Sequence, residues 1–229
     1  MTSLPIPRPA PVPRLLAALA FACAFVAQPA FAQSGFRFSN DDTAEQEQKA
    51  ARDAKVRDQL ATPCRERIKN QKIVVLIGES RNGFIDARQS AYSPQFDAIN
   101  LRLRALGLRT YTQAEITRQV AQAEMDAYFK NDPDAAIGAA KRLAAQYVLK
   151  GLISTHATRN AMINVNQVAV GMSFTLTGAN GRMISQASAQ EASYAGADVS
   201  GMALTLIEEH ADEVVARLYS DYCRAAGAR

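Results

Sequence analysis

The chain has 229 residues, 48% of them apolar and 21% charged, with no tryptophan and a formal net charge of +4. That composition excludes collagen, a disordered chain and a small disulfide scaffold, and it is ample for one hydrophobic core. The first 32 residues contain two arginines and no acid, lysine or histidine, so the remaining 197 hold 24 basic and 22 acidic residues. So balanced a body argues against a nucleic-acid partner, because neutralising phosphates calls for a lysine- and arginine-rich face.

Arg8 and Arg14 precede the 13-residue apolar run LLAALAFACAFVA, and Pro29-Ala30-Phe31-Ala32 leads into Gln33. This reads as a secretory signal peptide, residues 1–32, cleaved between Ala32 and Gln33. The run is shorter than the ~20 residues that span a bilayer. Lipidation at Cys23 would want a leucine-like residue three positions earlier, where Ala20 stands. The expected location is the periplasm, with any membrane association peripheral and an attachment to the outer membrane left open. Cleavage leaves two cysteines, Cys64 and Cys223, in an oxidising space. A single disulfide joining the two ends of the fold, two independent thiols and a reactive thiol are the alternatives at this point.

Residues 33–69 read as a polar linker followed by a charged helix over 41–60, in which Glu45 and Lys49, and Asp53 and Arg57, stand at the i, i+4 spacing. Only Val56 and Leu60 are large and apolar there, so the helix is solvated, with a partner-facing role as the sharper alternative. A folded domain over 70–224 follows. Ile73-Val74-Val75-Leu76-Ile77 is a continuous apolar run closed by Gly78, the pattern of a strand covered on both faces. Residues 79–93 form a long polar connection. Ser93-Pro94 then opens a helix whose apolar positions Phe96, Ile99, Leu103 and Leu106 run to Gly107. A short strand covers 108–111.

Thr112 and Glu115 have capping-box spacing ahead of a helix carrying Ile116, Val120, Ala123 and Ala127 on one face. Asp132-Pro133 opens a further helix to about residue 146. Three strands follow, at 147–155, 162–177 and 182–194, the last two joined by an Asn180-Gly181 turn. The chain closes with an amphipathic helix through Leu204, Ile207, Ala211, Val214, Val215, Leu218 and Tyr222. The order α-β-α-β-α-α-β-β-β-α predicts an α/β (α+β) single domain: one mixed sheet of about five strands with helices packed on it.

Catalytic patterns are sparse. The two histidines, His156 in a strand-to-strand connection and His210 in the last helix, do not supply the three or four ligands a metal needs. No metal and no small-molecule cofactor is expected, and the phosphate-cradling glycine motifs do not occur. Gly78-Glu79-Ser80-Arg81-Asn82 misses the nucleophile-elbow pattern by placing Asn82 where glycine is wanted. A serine hydrolase using Ser80 with His156 or His210 is the enzymatic alternative. The stretch Asn82 to Gln89, NGFIDARQ, mixes Phe84 and Ile85 with Asp86, Arg88 and Gln89 in a connection after a central strand. Such a mixture can make an interface patch, or can fold its apolar members back onto the core.

Over residues 70–220 the chain resembles the superfamily of the curli-secretion lipoprotein CsgG, the peptidoglycan-synthase activator lipoprotein LpoB and the TolB amino-terminal domain. The stretches that carry the likeness are KIVVLIGES followed by NGFIDARQS, then TYTQAEITRQ, DPDAAIGAAKRLAAQYVLKGLIS and the SFTLTGANGRMISQAS hairpin. NGFIDARQS is most similar to the synthase-activator branch. The resemblance implies a non-catalytic accessory protein of cell-envelope assembly that binds an envelope protein, a peptidoglycan synthase or secretion or adhesin machinery, through Phe84, Ile85, Asp86, Arg88 and Gln89. It also implies, as the alternative, an oligomeric outer-membrane export or adhesin-anchoring component. Those relatives are lipidated, whereas this leader reads as a soluble-export signal, which fits a free periplasmic protein.

Overall fold

The apolar run Ile73–Ile77 is the centre of strand β1 (Lys72–Arg81), whose residues 73 to 78 are all buried. The computed structural model describes residues 39–81, 84–89, 93–162 and 164–227. The leader, the Ala32–Gln33 cleavage site, the linker up to residue 38 and the Asn82-Gly83 pair lie outside the described residues. β1 runs parallel to β4 (Tyr147–Asn160), and β4 is antiparallel to β5 (Val165–Gly178), which is antiparallel to β6 (Met183–Gly196). On the other side of β1, β3 (Arg109–Thr110) pairs parallel with Lys72 and Ile73. β2 (Phe84–Asp86) folds back antiparallel on Glu79, Ser80 and Arg81. Among the described residues the result is one mixed sheet of six strands, ordered β2-β1-β4-β5-β6 with β3 beside β1.

Among the described residues seven helices accompany it: α1 (Ser39–Leu60), α2 (Arg65–Ile68), α3 (Ser93–Ala105), α4 (Gln113–Gln119), α5 (Gln122–Phe129), α6 (Pro133–Arg142) and α7 (Val199–Gly227). Successive strand residues point to opposite faces, and this alternation divides the helices. Ile73, Leu149 and Leu176 meet Leu103 of α3 and Val215, Leu218 and Tyr222 of α7 around a small apolar cavity. Gly78, on the opposite face of β1, lies against the Phe129 ring of α5. The sheet is therefore covered by α3 and α7 on one face and by α5 with α6 on the other. Phe174, Leu76, Ile77, Ile99, Leu149 and Ile207 are fully buried between these layers, each contributing roughly 1.5–3 kcal/mol of transfer free energy.

The expected α/β architecture is the observed one, and four details differ, the first being a short helix, α2, at Arg65–Ile68 where the sequence reads as linker. Residues 84–86 form the sixth strand, β2, where the sequence reads as connection. The helix expected from Thr112 to Ala127 is two, α4 and α5, because Val120 and Ala121 are extended (φ −115°, ψ 120°; φ −67°, ψ 146°). The strand expected over 147–155 continues to Asn160, which puts His156 within β4 and not in a connection; β4, β5 and β6 each have 14 residues against ten in β1. Three local signals are as read. The Thr112–Glu115 capping box is complete, Asp132 caps α6 by accepting the Asp134 N–H (3.0 Å), and Gly107 leaves α3 with a left-handed φ of +97°.

Cys64 and Cys223 form a disulfide, with their Cα atoms 5.6 Å apart. The segment between α1 and α2 is stitched to α7 around it. Tyr219 donates its hydroxyl to the Thr62 carbonyl (2.6 Å), and Arg67 donates to the Ala226 carbonyl (2.7 Å).

Candidate interaction surface

The stretch after β1 has a three-part conformation set by its own residues. Phe84, Ile85 and Asp86 pair with β1 as an edge strand, and Phe84 and Ile85 keep 81% and 40% of their surface exposed. Asp86 then takes Arg88 as a forked partner: Arg88 Nε donates to Oδ1 (3.0 Å) and Nη2 to Oδ2 (2.6 Å), while the Arg88 backbone N–H also reaches Oδ1 (3.1 Å). This two-point geometry fixes the turn out of β2. Gln89 turns inward. Its side-chain amide accepts from the Ile77 N–H (2.9 Å) and donates to the carbonyls of Ile77 (2.9 Å) and Ala87 (2.7 Å).

Gln89 is 1% exposed, which corrects its assignment as a partner-binding residue. Its amide stands in for a missing strand. The β3 pairing covers β1 at residues 72 and 73 and the β2 pairing covers 79 to 81, leaving Ile77 between them to be satisfied by a side chain. Phe84, Ile85, Asp86 and Arg88 remain together at the surface.

Beside them lies an open groove of about 960 Å³, lined by Phe84, Ile85 and Phe129 and rimmed by Glu79, Asp86, Arg88, Asp126 and Lys130. Its floor depends on Gly78: a β-carbon there would sit 2.7 Å from the Phe129 ring and 3.1 Å from Ile85 Cγ2. The missing side chain lets these two close over the strand. Asp126 is held by Gln122 Nε2 (2.7 Å) within α5. At the far rim Lys150 donates to Asn131 (2.9 Å) and lies 5.1 Å from the centre of the Tyr128 ring. Its removal from water pushes its pKa below the ordinary lysine value. The surface thus offers exposed aromatic and aliphatic side chains beside charges of both signs.

The enzymatic alternative is placed as follows. Ser80 lies on the face of the sheet opposite α7, and His210 of α7 lies beneath that helix, so the sheet separates them. His210 sits between Glu191 (Nε2 to Oε2, 3.2 Å) and Glu213 (Nδ1 to Oε2, 3.6 Å). His156 does share Ser80's face, two residues beyond Ser154, which is Ser80's partner on β4. No hydrogen bond joins Ser80 to His156 among the described residues. Among those residues, too, no group of three or more His, Cys, Asp or Glu is arranged to hold a metal ion, and no helix is long and apolar enough to cross a membrane.

No family model matches the chain, and no curated protein matches it in sequence. Solved structures similar to it include the lipoprotein GNA1162 from Neisseria meningitidis, with a TM-score of 0.44 and 14% identity over 60% of this chain and 92% of that one. The LpoB C-terminal domain from Escherichia coli is similar with a TM-score of 0.34 and 15% identity, over 57% of this chain and 93% of that one. A PelC dodecamer from Paraburkholderia phytofirmans gives 0.38 and 18%, over 64% and 88%.

Proposed function

We propose that the chain is a non-catalytic accessory protein of cell-envelope assembly, exported to the periplasm by residues 1–32, that works by binding another envelope protein through the surface around Phe84. The observation that carries this reading is Phe84 itself. An aromatic side chain held 81% exposed on a hydrogen-bonded strand, next to Ile85 and a groove floored by Phe129, forgoes the burial that folding normally gives it. A partner that covers it recovers that burial, and aromatic anchors dominate binding energy at such sites. The forked Asp86–Arg88 pair holds β2 in place, so the anchor is presented without ordering a loop on binding. The sequence likeness to synthase activators rests on the same NGFIDARQS stretch, and this favours a peptidoglycan synthase over secretion or adhesin machinery as the partner.

The test is affinity capture from an envelope extract with the exported protein and its Phe84→Ser variant. Phe84 makes little contact with its own fold, so the variant should melt with the wild type while capture of the partner falls by about tenfold or more. Undiminished capture by the variant would remove this surface from the reading.

A further inference from the structure

The two edges of the sheet are finished differently. The edge at β1 is closed in short pieces, by the two residues of β3, the Gln89 amide on Ile77 and the three residues of β2. The edge at β6 is 14 residues long, and among the described residues no strand lies beyond it. Exposed edges usually carry lysine, proline or inward-pointing charge that blocks pairing with another chain. β6, reading MISQASAQEASYAG, has no lysine, arginine or proline and a single charge. That charge, Glu191, is the strand's one inward-pointing charge: it faces His210 of α7 (3.2 Å), lies 3.9 Å from Arg52 and accepts from the Ala192 N–H of its own strand (3.3 Å), so it guards the edge only at residues 191 and 192 and leaves 183–190 without such a device. Ser188, Gln190 and Ala192 are exposed, and the larger side chains of the strand stand near its two ends, Met183 and Ile184 at one and Tyr194, 54% exposed, at the other.

We propose that β6 is a self-association edge, pairing antiparallel with β6 of a second copy across a two-fold axis to make one continuous sheet. The occupant follows from the two edges. Head-to-tail addition of β6 to the β1 edge of another copy is blocked by the pieces that close that edge, which leaves the isologous pairing and a closed dimer rather than a fibre. A two-fold at Ala189 sets Ser188 against Gln190 and Ala187 against Glu191, so no like charges meet. It also sets Tyr194 of each copy against Ile184 of the other, an aromatic–aliphatic cross-strand pair at both ends. This surface is separate from the Phe84 groove, and the dimer stands or falls independently of that reading.

Sedimentation velocity of the exported chain from 1 to 200 µM tests it. The wild type should pass from monomer to dimer with concentration, and hydrogen exchange at β6 amides should slow over the same range. The variant Ser188→Lys/Gln190→Lys changes only exposed side chains and sets lysine against lysine. It should keep the wild-type melting temperature and dissociate at least tenfold more readily. Ser188→Glu/Gln190→Glu should do the same, and mixing the two variants should restore a heterodimer. A wild type monomeric throughout, a lysine variant that dimerises as well as wild type, or a mixture that stays monomeric would each overturn the proposal. A foreign strand captured by a monomeric wild type would overturn it as well.

Discussion

Gln89 shows how much one side chain can stand in for. Its amide reproduces the donor and acceptor that a neighbouring strand would offer Ile77, in a place where water is excluded. Gln89→Leu keeps the volume and removes both partners, leaving a buried N–H and a buried carbonyl unsatisfied. Urea unfolding should register a loss of about 1–3 kcal/mol; an unchanged midpoint and slope would mean that Ile77 finds other partners. None of this is legible in the sequence. A glutamine next to an arginine in a polar stretch has the composition of a surface loop, and only the gap left between the two short pairings on β1 makes it a core residue. Phe84 is the reverse case. The residue type predicts burial or an interface with equal justice, and the three-residue pairing of β2 decides between them by holding the ring outward.

At the scale of elements, periodicity carried most of the reading, because strands buried on both faces and amphipathic helices differ in repeat. It failed where the repeat is blind. The spacing of Ile116, Val120, Ala123 and Ala127 continues across the extended residues 120 and 121, so one helix and two consecutive helices look alike. β2 is too short to show alternation. The solvated helix is readable from its lack of apolar residues: residues 43–50 of α1 are exposed, and within 43–60 Arg52, Val56, Gln59 and Leu60 turn inward. What holds that end is partly ionic. Lys55 Nζ donates to Glu213 Oε1 at 2.8 Å, and this hydrogen bond is the first cause that holds the Glu213 carboxyl below its ordinary range, with burial opposing it. A carboxyl whose folded pKa is lowered stabilises the fold fully above its unfolded value and loses that contribution as pH falls through the folded value. Lys55 is half exposed, so solvent screens the pair and its worth is roughly 0.2–1 kcal/mol. The stability difference between wild type and Lys55→Met should therefore be present at pH 7, persist below the ordinary carboxylate range, and vanish once the pH falls through the lowered folded value of Glu213. A difference that stays constant while Glu213 is titrated to its protonated form, followed by the NMR shift of its side-chain carboxyl, would assign the effect to the lysine stem packing on α7 rather than to its charge.

Across the whole molecule, the segment ahead of β1 is bound to the final helix at several points around one covalent link. Cys64 and Cys223 are 159 residues apart in sequence, and both are buried where the Tyr219 hydroxyl holds the Thr62 carbonyl and Arg67 reaches the end of α7. The sequence placed one cysteine before the first strand and the other in the last helix but did not place them together. Their proximity depends on α7 crossing back over β5 and β6 to the start of the sheet, which is a property of the topology. The bond therefore encloses all six strands, and in the unfolded chain it restrains a loop of nearly the whole domain. For a loop of that length the chain-entropy model sets ~5 kcal/mol as the scale, and removal of native disulfides typically costs 2–5 kcal/mol. The non-covalent stitches should leave the fold intact without it. Cys64→Ala/Cys223→Ala should then unfold cooperatively at a urea midpoint lower by the equivalent of about 2–5 kcal/mol, with a larger slope because its unfolded chain exposes more surface. Wild type treated with reductant should move to the same midpoint as the double variant. If oxidised and reduced wild type unfold together, the link lies outside the cooperative unit, and the Thr62 and Arg67 contacts alone hold the two ends.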